Sequence, residues 1–416
     1  MDSRSYLLET TLGAAIEPPP TDPAAPVRVL VVFGTRPEAI KLAPVVRALE
    51  ADPRFAPVVC STGQHKEMLE QMLDAMQLVP NYQLGLMRDR QALSSLTSLA
   101  VSGLGEVIQF ERPAAVMVQG DTTTCVCGAL TGFYEGVPVA HVEAGLRSGC
   151  LDNPFPEELN RRLVAQMTRW HFAPTQGAAS NLRREGIDPA SVAVTGNTGI
   201  DNLNWVLDRG LGIPRFRTGL RRVLVTLHRR ENQGETMRGL AGAISGLAAR
   251  GDVEVLLPLH KSPSVRDAIG PVLGDTPNVT LTDPLGYLEF TASLAHADLV
   301  LTDSGGVQEE APSLGKPVLV LRETTERPEA IEAGVARLVG TSADAVYQAA
   351  ARLLDDPDAY AAMAQAVNPF GDGRAAARIV SRLAADLATF DTRTRPASCG
   401  DGHASARLGA SVARDA

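Results

Sequence analysis

The sequence predicts an α/β fold in which two parallel-sheet units face a cleft. Short runs of β-branched and aliphatic residues alternate with segments of helical patterning, and this alternation passes through the 416-residue chain twice. One series lies before about Gly196 and the other after Arg221. The unusual residues also fall in one kind of place: each candidate motif follows a strand, and open parallel sheets bind ligands beyond the carboxyl ends of their strands.

In chain order, strands are expected at Val27–Phe33, Ala114–Gln119, Val137–Val142, Val192–Thr195, Val223–Leu227, Val253–Leu257, Val279–Thr282, Leu299–Thr302 and Val318–Leu321. Helical patterns occupy Glu38–Glu50, Lys66–Leu78, Leu93–Phe110, Glu157–Met167 and Glu235–Ala249. Crossovers between such strands are right-handed by default. The stretch GNTGIDNLNWVLDRGLGIPRF reads as a linker region between the two series. No repeat of about 20–50 residues is present, which excludes a solenoid.

Composition narrows the function. A chain of this length, with 44% hydrophobic and 21% charged residues, can bury two separate cores. The formal charge of −9 argues against a general nucleic-acid surface, so any phosphate site must be local. Cys60, Cys125, Cys127, Cys150 and Cys399 are too scattered for a disulfide framework, and reduced thiols are expected. Cys125-Val-Cys127 lacks a second Cys or His pair at zinc spacing, so it reads as two small buried residues, and no metal site is proposed. The N-terminal segment 1–26 is Pro-rich and lacks the apolar stretch of a signal peptide, and no run reaches the roughly 18–20 apolar residues of a membrane span. A cytoplasmic protein that does not engage membranes is expected, with loose tails at 1–26 and 392–416.

The most informative segment is LTDSGGVQEEAPSLGKPVLVLRETTERPE, residues 301–329. A buried strand leads into Ser304-Gly305-Gly306, where backbone amides can approach an anion, and Glu309 and Glu310 follow on a helix where a carboxylate can accept bonds from two vicinal hydroxyls. Arg327 adds a cation, and a nucleotide is the leading ligand. In the first series, Gly34-Thr35-Arg36-Pro37-Glu38 and Lys41 follow a strand, so Arg36 and Lys41 can place two cations near a helix start. Asp121 in QGDTTT and Glu143 in HVEAGLRS follow two further strands, and Glu157-Glu158 opens a helix after Pro156. Several carboxylates at one sheet edge suit proton transfer. His228 in TLHRREN and His260 in LHKSP follow successive strands of the second series, each beside basic residues that suit a diphosphate. Phe290 in GYLEF can pack on a base or in the core.

GxGxxG after the first strand, GxxxxGK[ST], HExxH and GxSxG are all absent. The chain thus carries no sign of NAD binding or of Walker-type hydrolysis, and no cofactor is expected.

GTRPEAIKLAPV, TGQHKEML, QGDTTT, HVEAGLRS, PFPEELNRR, VTGNTGID, TLHRREN, the 301–329 segment and NPFGDG occur in the order found in non-hydrolysing UDP-N-acetylglucosamine 2-epimerases, which the chain resembles over about Val27–Leu387. The resemblance implies a glycosyltransferase type-B fold of two Rossmann-like domains, 27–197 and 198–373, with a C-terminal helix, 374–390, joining the first. It implies interconversion of UDP-N-acetylglucosamine and UDP-N-acetylmannosamine by elimination and readdition of UDP, without a cofactor, in a homodimer. Carried over by motif, Asp121, Glu143 and Glu157 are the acid/base set and His228 the electrophilic partner of the phosphates. Arg36, Lys41, Phe290, Ser304, Gly305, Gly306, Glu310 and Arg327 match substrate-binding positions. Gln64, His65 and His260 match an adjoining site where a second UDP-N-acetylglucosamine acts as activator, although Glu67 and Lys261-Ser262-Pro263 depart from its usual pattern. A 2-epimerase of a modified UDP sugar, a UDP-sugar-dependent glycosyltransferase and a silent UDP-sugar sensor are the competing readings.

Overall fold

Val27–Phe33 forms β1, and Val29 through Phe33 are completely buried, as expected of a parallel strand covered on both faces. The computed structural model of the protein describes residues 25–63, 72–88, 91–210, 212, 214–216 and 219–389. Among these, β1 joins β2 (Phe55–Ser61), β3 (Tyr82–Gln83), β4 (Ala115–Gln119), β5 (Val139–Val142), β6 (Trp170–Ala173) and β7 (Val192–Val194) in a seven-stranded sheet ordered β3-β2-β1-β4-β5-β6-β7. The second sheet contains β8 (Arg221–Thr226), β9 (Val253–Pro258), β10 (Val279–Thr282), β11 (Leu299–Thr302), β12 (Val318–Val320) and β13 (Ala336–Leu338), ordered β10-β9-β8-β11-β12-β13. Every strand pair is parallel.

Both sheets therefore reverse their winding beside the first strand of each half, between β1 and β4 and between β8 and β11. A crevice opens at such a reversal, and ligands bind there. This is the two-Rossmann, type-B glycosyltransferase arrangement. β2, β3, β6 and β13 are strands the sequence patterning did not single out, and the segment expected as a linker instead contains an 11-residue helix, Thr198–Asp208. Asn197 caps that helix through Gly199 N–H, at 2.8 Å, and Ile200, Leu203 and Val206 bury one side of it. The expected helix Lys66–Leu78 lies partly outside the described residues, with 72–76 helical.

The chain crosses back at its far end. The helix Ala375–Thr389 begins where Asp201 accepts the amides of Ala375 and Ala376, at 3.1 and 2.8 Å. Its Ile379, Val380 and Leu383 are buried in the same core as β1 and the helix Arg36–Glu50. Trp170 Nε1 donates to Asp386 at 2.8 Å and fixes the helix against the first sheet.

Candidate active site

The loop after β1 is shaped by a glycine and a buried acid. A Cβ at Gly34 would overlap the hydroxyls of Thr62 and Thr124, so only glycine lets these loops meet. Glu38 is buried and accepts from Gly34 N (3.0 Å), Thr35 N (2.7 Å), Thr35 Oγ1 (2.8 Å) and Thr122 Oγ1 (2.6 Å). Burial raises the Glu38 pKa, against the opposing pull of these donors. The acid thereby ties the β1 and β4 loops together. Arg36 starts the helix Arg36–Glu50, half-buried and without an ion pair to a described residue; burial lowers its pKa. A sheltered cation of this kind is placed to receive an anion.

Three carboxylates gather beside that loop. Glu143 follows β5 with φ of 65°, in the left-handed region that disfavours side chains, and its carboxylate is held from two sides. Lys41 Nζ donates to Oε1 at 2.5 Å, and Gln119 Nε2 donates to Oε2. Asp121, two residues beyond Gln119, pairs with Arg161 at 2.6 Å, while its carbonyl accepts from Asn160 Nδ2 at 2.7 Å. Arg161 and Asn160 belong to the helix Glu157–Met167, so the helix that starts with Glu157 is bonded directly to the Asp121 loop. Glu157 Oε2 is buried and unpartnered among the described residues. Its neighbour Glu158 has a different job, accepting from Ser148 N, Arg161 and Arg162 while fully buried.

The second lobe supplies cations. Ser304 occupies the N-cap position of the helix Gly305–Glu310 without a side-chain capping bond, and a Cβ on Gly305 would stand 3.8 Å from Arg327 Nη2 and 3.9 Å from Arg229 Nη2. Two guanidinium groups thus flank the glycine backbone. Arg327 Nε donates to Glu309, which also accepts from Asn197 Nδ2 at 2.5 Å. Burial would lower the Arg327 pKa, but Glu309 and Glu143 together raise it. Burial likewise opposes the charge on Lys41, and Glu143 followed by Glu309 reverses the effect, so this lysine feels acids of both lobes. Glu310 is pushed up to about 7, first by burial and then by Glu309, with Lys41 opposing. His228 after β8 is partly exposed and lies 2.8 Å from buried Asp303, and its ring centroid is 6.1 Å from that of exposed His260.

The structure thus gathers Asp121, Glu143, Glu157, Arg36 and Lys41 on one side of the crevice, and Ser304, Gly305, Gly306, Glu310, Arg327 and His228 on the other. Phe290 is half-buried and packs against the core of the second lobe. Gln64 and His65 lie outside the described residues. The sequence left Gln119 and Asp303 without a role, although each sits within a quoted motif, and Glu309, read beside Glu310 as a hydroxyl acceptor, instead pairs with Arg327 and Asn197.

Cys60, Cys125 and Cys127 are buried free thiols. Among the described residues no group of three or more His, Cys, Asp and Glu is placed to hold a metal ion, and no helix is long and apolar enough to cross a membrane.

Fold and site together define a two-lobed enzyme of the type-B glycosyltransferase architecture. A family model described as UDP-N-acetylglucosamine 2-epimerase matches residues 47–384. The UDP-N-acetylglucosamine 2-epimerase of Salmonella typhimurium is 47% identical over 368 residues, covering 86% of this chain and 98% of that protein. The Bacillus subtilis enzyme of the same name is 48% identical over 359 residues, covering 86% and 94%. The crystal structure of UDP-GlcNAc 2-epimerase from Neisseria meningitidis bound to UDP-GlcNAc superposes with a TM-score of 0.80 at 42% identity, covering 86% of this chain and all of that one. The chain belongs to the UDP-N-acetylglucosamine 2-epimerase family, whose members are isomerases.

Proposed function

We propose that this protein interconverts UDP-N-acetylglucosamine and UDP-N-acetylmannosamine without a cofactor and without releasing the free sugar. The observation that carries the reading is the crevice where Glu143 and Lys41 of one lobe meet the field of Glu309 and Arg327 of the other. It offers acids to a sugar ring and cations to a diphosphate at once.

The C2 proton of the sugar is weakly acidic, because no carbonyl adjoins that carbon. Loss of the proton coupled to cleavage of the C1–O bond solves the problem: the C–H electron pair forms the C1–C2 double bond, the pair of the C1–O bond leaves with UDP, and 2-acetamidoglucal remains. A proton then returns to the opposite face of C2, and a diphosphate oxygen of UDP rebuilds the bond to C1. Asp121, Glu143 and Glu157 move the protons, while Arg327, Arg36 and His228 receive the charge of the departing diphosphate. Glu310 accepts from the ribose hydroxyls, and Phe290 borders the base.

Two further assignments accompany this reading. His260, beside His228, belongs with Gln64 and His65 to a neighbouring site for a second UDP-N-acetylglucosamine that activates the enzyme. The protein works as a cytoplasmic homodimer. Its adjacent helices Leu93–Glu111, Thr123–Tyr134 and Glu157–Met167 leave Leu93, Leu99, Phe133, Tyr134, Leu159 and Leu163 exposed, an apolar face suited to a second copy.

Incubation of the purified protein with UDP-N-acetylglucosamine in deuterated water, with no cofactor added, tests the reaction. Deuterium at C2 of both nucleotide sugars is expected. Turnover without deuterium at C2 refutes the elimination, and free N-acetylmannosamine with UDP as the end products refutes the non-hydrolysing outcome.

A further inference from the structure

The two ring nitrogens of His228 have unlike surroundings. Nδ1 lies 2.8 Å from Oδ1 of Asp303, whereas Nε2 makes no hydrogen bond to a described residue. The Asp303 side chain is fully buried at the end of β11. Its Oδ2 accepts from the amides of His228 and Arg229, each at 2.9 Å, and from Asn232 Nδ2 at 3.3 Å. Asn232 is itself fixed, since its Nδ2 also donates to the Leu321 carbonyl at 3.0 Å. The carboxylate is therefore oriented by three donors before the imidazole is considered.

A pair of atoms at this separation shares one proton, and its ownership follows from the surroundings. Burial acts to raise the Asp303 pKa, but the His228 ring and the two backbone amides outweigh it and hold the carboxyl below its ordinary value. The proton consequently resides on Nδ1. We propose that Asp303 is a positioning residue that keeps a proton on Nδ1 and fixes the ring orientation, so that Nε2 of His228 is the nitrogen that takes up a second proton and donates to the diphosphate of the substrate. The inference rests on the reading of His228 as the phosphate partner. An anion that arrives at Nε2 together with a proton completes a row of carboxylate, imidazolium and phosphate, in which the cation lies between two negative groups.

Only an acid serves here. Because Oδ2 receives three donors, an asparagine at 303 places its carbonyl oxygen there and turns its NH2 toward Nδ1. Nδ1 then becomes an acceptor, the ring proton moves to Nε2, and the negative charge behind the ring is lost. The substitution keeps the shape and reverses the polarity of the contact.

The experiment combines nitrogen-15 NMR of histidine-labelled protein with kinetics. The His228 signals are assigned by their loss in His228→Gln. In the wild-type protein Nδ1 is expected to carry the proton at neutral pH, and an unprotonated Nδ1 overturns the proposal. Asp303→Asn is expected to lower kcat by about 10–100-fold with little change in KM, and to move the ring proton to Nε2. The double variant His228→Gln/Asp303→Asn is expected to be no slower than His228→Gln alone, because Asp303 acts through the histidine. An equal further loss in the double variant overturns the proposal in favour of a merely structural acid. If Asp303→Asn does not fold, the wild-type ring signal alone decides. Absence of turnover by the wild-type enzyme counts against the proposed reaction instead, and leaves the test of the nitrogen tautomer intact.

Discussion

The two lobes use similar charged pairs in opposite senses. In the first lobe Arg161 backs Asp121, and the acid is the more exposed partner, with its side chain 28% accessible against 15% for the arginine. In the second lobe Asp303 backs His228, and the base is exposed, 40% against 0%. Arg327 and Glu309 repeat the second pattern at greater depth, with 12% and 4%. Whichever partner faces the crevice is the one whose chemistry the ligand meets. Under the proposed function this sets the Asp121 carboxylate toward the sugar ring and the cations toward the diphosphate, while Lys41 and Glu143, 19% and 7% accessible, depart from the first lobe's pattern.

This contrast breaks first under substitution of the acids. Glu157→Gln keeps the size of the side chain and removes a buried, unpartnered oxygen from proton transfer, so kcat should fall on the order of 10²–10⁴-fold while UDP binding stays near the wild-type value. Isothermal titration with UDP beside an epimerisation assay measures both; a matching loss of UDP affinity would erase the division between the lobes. In the second lobe, Arg327→Met should weaken UDP binding and also leave Glu309 buried without its cation. Urea unfolding should show a loss of about 3–5 kcal/mol, largely recovered by adding Glu309→Leu.

A smaller effect concerns how the lobes hold one another. Thr175 Oγ1 donates to Glu329 Oε1 at 2.9 Å, and Glu329 lies two residues beyond Arg327. Glu329→Ala should cost roughly 1 kcal/mol and enlarge the ligand-free particle in small-angle scattering, with UDP restoring the closed dimensions. A separate effect on stability is a pH dependence. Glu310 has a folded-state pKa raised to about 7, above its ordinary value of 4.5, so folding disfavours its charged form. Below the ordinary value this penalty is absent; it grows as pH rises from there to about 7 and is then constant. Thermal melts of wild type and Glu310→Gln should diverge across that window, with the variant losing less stability as pH rises.

Much of this arrangement was legible in the residues. The strand runs at Val27–Phe33, Val253–Leu257 and Leu299–Thr302 stood out because strands buried on both faces are nearly continuous in Val and Leu. β6 was hidden because Trp-His-Phe-Ala is short and not β-branched, and β2 because Phe-Ala-Pro interrupts its apolar run. The helix Thr198–Asp208 was obscured by the glycines around it, which suggest loop. Within the site, residue types and order pointed to Asp121, Glu143, His228 and Arg327. Their partners did not show, since Gln119 meets Glu143 across 24 positions and Asp303 meets His228 across 75. Which of two adjacent acids turns inward, Glu157 or Glu158, also depends on loop Ser148, which no local pattern reveals.

The returning helix Ala375–Thr389 carries a consequence for biogenesis. Ile379, Val380 and Leu383 complete a core begun by β1, hundreds of positions earlier. A ribosome releases the whole second lobe before it supplies that missing layer, so the nascent first lobe must wait with an apolar groove open to solvent. Truncation just before Ala375 should therefore yield a chain that chaperones retain, even though every residue of both crevice walls has already been made.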